Sequence, residues 1–182
     1  MNDHEIREAI CAYMEYSHNG KFRIIDELVI GKARADIVIV TKSLSGYEIK
    51  SDNDSYRRLP GQIKEYDKYF QQNYLVVGTN HRETALKHIP PYWGIMCISK
   101  SNRRIQIETI RAAAQNPKYT QTKQLSLLWR NELGNILKAN GLIKCSGKSK
   151  AYVRNYLLER VPKETLQKQI CNEFFERDWT LV

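Results

Sequence analysis

Two neighbouring apolar runs carry charge where a buried strand tolerates it least. Residues 33–40, ARADIVIV, and 47–51, YEIKS, are rich enough in β-branched and aromatic side chains to be strands, yet the first holds Asp36 and the second Glu48 and Lys50. An unpaired ionised group costs several kcal/mol or more to desolvate, so the chain must fold in a way that gives these three side chains partners. Residues two apart on a strand share a face. Pairing the two runs as a hairpin therefore places Glu48 and Lys50 together, one strand away from Asp36.

The segments around this pair fix the expected architecture. Residues 3–17 put Ile6, Ile10, Tyr13 and Met14 on one helical face, with Asp3 as N-cap and Asn19-Gly20 as the stop. FRIIDELVI (22–30) and ARADIVIV form a hairpin, and YEIKS adds a third strand after the polar turn TKSLSG. From Tyr56 to Phe70 the spacing of Leu59, Ile63, Tyr66 and Phe70 is helical, with Pro60 in the first turn. A buried strand (73–79), a short helix HRETALKHI, a strand (92–99) and an edge strand RRIQIETI (103–110) follow. The order α-β-β-β-α-β-α-β-β predicts an α/β domain around a mixed central sheet. RAAAQNPKYTQTK (111–123) marks a boundary, giving a domain over residues 1–112 and a helical subdomain over 120–182.

Charge separates the two parts. The net charge is +9, but residues 1–100 hold 14 Lys/Arg against 13 Asp/Glu, whereas residues 101–182 hold 15 against 7. A basic segment beside a neutral one points to a polyanionic partner, nucleic acid or an acidic surface. No run of 18 or more apolar residues is present, and the N-terminus lacks the apolar stretch of a signal peptide. The expectation is a cytoplasmic protein with no membrane partner. Cys11, Cys97, Cys145 and Cys171 are widely spaced without a CxxC pair, which predicts free thiols rather than zinc ligands. The oligomeric state is open, and a homodimer is admitted.

Two carboxylates at the end of a sheet make an oxygen-ligand site suited to Mg²⁺, with Mn²⁺ as substitute. Such an ion would relieve the repulsion between Asp36 and Glu48 and could activate a bound water, with Lys50 contacting that water or a phosphate. Asp36 followed by Glu48-Ile49-Lys50 resembles the D…(D/E)xK signature of the PD-(D/E)xK nuclease superfamily. The predicted order resembles its restriction-endonuclease-like α-β-β-β-α-β core. Gln62 and Tyr66 in QIKEY resemble the QxxxY motif of the RecB-like branch, and residues 23–97 are similar to a small bacterial nuclease-like family of about this length. The resemblance implies a metal-dependent nuclease acting on DNA. Asp36, Glu48 and the Ile49 carbonyl would hold the metal, Lys50 would position the water, and Gln62 and Tyr66 would support the site. A further acidic residue would come from Glu5, Glu8 or Glu27; here Ala35-Asp36 stands in place of the superfamily's Pro-Asp. The alternatives are a nucleic-acid-binding module of the same fold without catalysis, or an interaction protein with an acidic partner.

In the basic part, Gly147-Lys148-Ser149 lacks the upstream glycine spacing and preceding strand of a P-loop, so no nucleotide cofactor is expected. Residues 129–161 instead resemble a SAP-like helix-loop-helix. That resemblance implies phosphate contacts by Lys144, Lys148, Lys150 and Arg154 and by helix N-terminal amides. Arg57, Arg58 and Lys64, around the QIKEY helix, form a second candidate surface.

Overall fold

The computed structural model describes residues 1–102 and 104–181. Its elements are α1 (Asp3–Ser17), β1 (Arg23–Ile30), β2 (Ala33–Val40), β3 (Leu44–Lys50), α2 (Leu59–Tyr69), β4 (Gln72–Gly78), β5 (Gly94–Ser101), β6 (Arg104–Arg111), α3 (Gln121–Ser126), α4 (Arg130–Ala139), α5 (Lys150–Arg160) and α6 (Lys163–Glu176). The expected edge strand is present as β6; its anticipated first residue, Arg103, lies outside the described residues. The fold is α/β, with a six-stranded mixed sheet in the order β1-β2-β3-β4-β5-β6. β1, β2 and β3 are antiparallel, β3, β4 and β5 parallel, and β5 and β6 antiparallel.

Alternation along the strands builds two apolar layers. Ile37, Ile39, Tyr47 and Ile49 face α1 and pack with its Ile6, Ile10 and Met14. Val38, Val40 and Leu44 face the other way, where α2 contributes Leu59, Tyr66 and Tyr69 and the C-terminal helices contribute Leu125, Leu133, Leu157 and Phe174 to the same buried cluster. The helices after residue 120 thus form part of one wall of the sheet's own core. The link is also polar. The last carbonyls of an α-helix have no intrahelical donor; here Asn116 Nδ2 donates to the Asp67 and Phe70 carbonyls at 2.8 and 2.7 Å, and Gln124 Nε2 donates to the Tyr69 carbonyl at 2.7 Å.

Several local expectations shift. The N-cap of α1 is Asn2, whose side chain accepts from the Glu5 amide while the Glu5 carboxylate accepts from the Asn2 amide. β3 begins at Leu44 because the turn closes early, with the Thr41 amide donating to the Ser43 carbonyl at 2.9 Å and the Leu44 amide to Gln71 Oε1 at 3.0 Å. The short helix expected over 81–89 is two 3₁₀ turns, Thr79–His81 and Ala85–Lys87, consistent with a segment too short for a cooperative α-helix and closed by Pro90-Pro91. The single helix expected from Leu125 is divided, since Glu132 accepts from the Trp129 amide and starts α4 afresh.

β3 runs directly beneath the C-terminal end of α2, and Gly46 makes that approach possible: a Cβ there would overlap the Phe70 ring and crowd the Tyr66 ring. Gly46→Ala should therefore destabilise the protein by about 1–3 kcal/mol. Urea denaturation measures the loss, and an unchanged midpoint would show that α2 can lift without cost.

Candidate functional site

The β2–β3 ladder ends at the pair Ile37↔Tyr47, so the strands part at Asp36 and Glu48. On its other side, β2 pairs with β1 at Asp26↔Ile37 and Leu28↔Ala35 but not between them, where Glu27 has φ 57°. Asp36 thus stands at a fork, and side chains take over the hydrogen bonds the strands no longer supply. Its amide donates to Tyr66 Oη at 3.1 Å, and its Oδ2 accepts from the Ile49 amide at 2.8 Å. Tyr66 Oη also donates to the Tyr47 carbonyl at 3.3 Å.

Glu48 and Lys50 point to the α2 side of β3, as their spacing predicts. Lys50 Nζ donates to Glu48 Oε1 at 2.6 Å and to Gln62 Oε1 at 3.2 Å, with Glu48 and Lys50 both buried. Glu48 Oε2 is buried and has no hydrogen-bond partner among the described residues. Burial first, then the neighbouring Glu48 charge, pushes the Asp36 carboxyl up to about 7, against the Ile49 amide and the Arg7 guanidinium. Arg7 of α1 donates to the Asp36 carbonyl and stands 3.7 Å from its Oδ1. Burial and the two carboxylates hold the Tyr66 phenol well above its ordinary range.

A cleft of about 660 Å³ opens over this fork, lined by Asp36, Glu48, Ile49, Lys50 and Gln62, and also by Asp3, Lys32, Arg34, Asp54, Arg58, Lys64 and Glu65. Five of the expected residues therefore converge, with Arg58 and Lys64 on the rim. Tyr66 does not reach the cleft; it is fully buried and braces the backbone. Glu27 turns to Arg34 at 3.0 Å, Glu5 pairs with Lys100 at 2.8 Å, and Glu8 pairs with His4 at 3.5 Å, so none of the three joins Asp36 and Glu48 in lining the cleft. Asp3 and Asp54 line it without having been anticipated. Asp54 is committed to Ser51, whose amide and hydroxyl donate to it at 2.8 and 2.6 Å. Among the described residues, no three or more His, Cys, Asp or Glu side chains gather in a metal-binding group.

Of the expected basic residues, Lys144 and Lys148 lie in the loop between α4 and α5, and Lys150 and Arg154 on α5. Lys144, Lys148 and Lys150 are exposed and Arg154 is half-buried. Arg130 Nη2 donates to the Cys145 carbonyl at 2.7 Å, which fixes the loop. A groove between α4 and α5 is lined by Arg130, Lys138 and Lys144 above Leu137, Leu142 and Val153, with no carboxylate. Ser149 caps α5 by accepting from the Tyr152 amide at 3.2 Å, and the first turn has no acidic residue. Lys150 lies apart from Lys144, on a groove shared with β1, Trp129 and Arg177. Among the described residues, no helix is long and apolar enough to cross a membrane.

The raised Asp36 pKa has a consequence for stability. The folded chain keeps a proton up to about pH 7 that an ordinary aspartate near 3.8 has released, so stability falls as pH rises from about 4 to about 7 and is level above. Asp36→Asn, which still accepts from the Ile49 amide, should remove this slope and gain on the wild type across that window. Urea denaturation in the presence of chelator tests it; parallel profiles would place Asp36 at its ordinary pKa.

No solved structure matches the chain. A curated relative, Protein cII of Enterobacteria phage P4, is 28% identical over 121 residues, covering 65% of this chain and 46% of that protein, so the chain spans less than half the length of the relative it matches. The family model described as bacteriophage P4 protein cII matches residues 1–179. These findings overturn the identification with the PD-(D/E)xK superfamily and its bacterial nuclease-like relatives, and with it the expected DNA-hydrolysing, metal-dependent nuclease activity. The structure supplies a physical reason for the misleading motif: Lys50 neutralises Glu48, Gln62 receives Lys50, and Tyr66 secures the backbone at Asp36, so each motif position meets a local structural need. The chain belongs to the bacteriophage P4 protein cII family.

Proposed function

We propose that this protein binds DNA, with α4, α5 and their connecting loop as the phosphate-contacting arm. The observation that carries the reading is the start of α5: a Ser149-capped helix N-terminus with no acidic residue in its first turn, flanked by exposed Lys144, Lys148 and Lys150. Helix N-terminal amides and the dipole favour an anion, and the exposed lysine ammonium groups add charge without reading sequence. The carboxylate-free groove beside it extends the same sign of charge. We further propose that α1-β1-β2-β3-α2-β4 has the restriction-endonuclease-like topology and serves as a scaffold for binding and not for bond cleavage. The order of these elements and the fork at Asp36 support it.

DNA affinity should fall with salt by roughly 0.9 in log-log slope per duplex phosphate contact. Replacing Lys144, Lys148, Lys150 and Arg154 together by Ala should flatten the slope by about two to four units and weaken all sequences alike. Fluorescence anisotropy across a salt series measures both. An unchanged slope would sink the arm and move the test to Arg57, Arg58 and Lys64.

We also propose that Mg²⁺, or Mn²⁺ in its place, sits between Asp36 and Glu48 as a counter-ion. The buried, unpartnered Glu48 Oε2 beside a second carboxyl supports this, and a hard cation that keeps several waters needs no third carboxylate. The ion would neutralise the fork and offer the cleft to a phosphate. Calorimetry should detect binding at or below about millimolar Mg²⁺, abolished by Asp36→Asn with Glu48→Gln. Absence of heat with the wild type for both ions would sink the counter-ion and leave Lys50, Arg7 and the raised Asp36 pKa as the compensation.

A further inference from the structure

Helical spacing on α5 lines up more than charge. Tyr152, Tyr156 and Arg160 follow one another four residues apart on α5 and so form a single ridge, and Lys148, just before the Ser149 cap, joins it by its contact with Tyr152. The Tyr152 and Tyr156 rings lie within 15° of parallel with centroids 6.3 Å apart. Lys148 Nζ stands over the Tyr152 ring at 5.2 Å from its centroid, and the Arg160 guanidinium over Tyr156 at 5.7 Å. Val153 and Leu157 face the core, while Tyr152 keeps 47% of its surface exposed. In the loop that precedes α5, Ile143 is 78% exposed beside Lys144. Large apolar side chains are not needed on a surface that only collects phosphates.

We infer that the α5 ridge is a stacking platform for unpaired bases, so that the arm takes single-stranded nucleic acid in preference to duplex; this rests on the DNA-binding reading above. Aromatic faces interleaved with cations suit a single strand, because every base offers a π-face and every linkage a phosphate. Binding would exchange partners: a base takes the Tyr152 face that Lys148 covers, and the released ammonium moves to the adjacent phosphate. In a duplex the bases are already stacked on one another and have no face to offer, so only the phosphate contacts remain.

The test uses the full chain and three fluorescent probes: oligo-dT, oligo-rU and a mixed-sequence duplex of equal length. Wild type should bind oligo-dT more tightly than the duplex at equal salt, and the oligo-rU arm shows whether RNA strands share the platform. Tyr152→Ala should weaken single-strand binding by about 5- to 100-fold, leave duplex affinity within about twofold, and leave the salt slope unchanged. Tyr152→Phe, which keeps the ring, should retain binding, whereas Tyr152→Leu, which keeps apolar bulk alone, should not. Equal losses on strand and duplex, or no loss on the strand, would overturn the platform while leaving DNA binding by the arm intact. Failure of the wild type to bind any of the three probes would overturn the DNA-binding reading itself.

Discussion

The fork at Asp36 is the constraint on which the rest of the site depends. A continuous ladder between β2 and β3 would pair Asp36 with Glu48 across a buried sheet, two like charges side by side in a medium that screens them poorly. The strands part instead after Ile37↔Tyr47. The backbone groups exposed by parting must still be bonded, and the Tyr66 hydroxyl and the Asp36 carboxylate do this, one taking the Asp36 amide and the other the Ile49 amide. α2 is held close over β3 to bring Tyr66 within reach, and Gly46 is the position that lets it come so near. A polar opening in the sheet and a tightly packed helix are thus two sides of one arrangement.

Much of this was legible in the sequence, because period-two alternation carries the signal. The convergence of Asp36, Glu48 and Lys50 followed from strand geometry, whereas Gln62 was singled out only by its resemblance to the QxxxY motif. Less visible was the left-handed backbone at Glu27, a residue type that gives no warning of positive φ, and with it the gap in the β1–β2 ladder. Asp3 and Asp54 reach the cleft from elements whose placement depends on tertiary packing alone. The ridge on α5 had a signal in the spacing of Lys148, Tyr152, Tyr156 and Arg160, but weighing the segment by charge passed over its tyrosines.

The motif reading shows where residue patterns stop informing on function. Gln62 and Tyr66 one turn apart, following a buried Glu-x-Lys, look like a catalytic constellation because catalytic and structural sites face the same problem of stabilising charge away from water. Here Lys50 and Gln62 answer that problem between them. A fold hosts many functions, and the family match over residues 1–179 sets the chain in a different group from the one its triplet suggested.

The side-chain amides that finish α2 tie the two ends of the molecule together. Asn116 and Gln124 belong to the segment leading into the basic helices, yet they cap the helix that carries Gln62 over the fork. Loosening that segment uncaps α2, and lifting α2 deprives Asn116 and Gln124 of their acceptors. The wall of the cleft and the segment leading into the basic helices therefore close on the same hydrogen bonds, so local opening at one is coupled to local opening at the other.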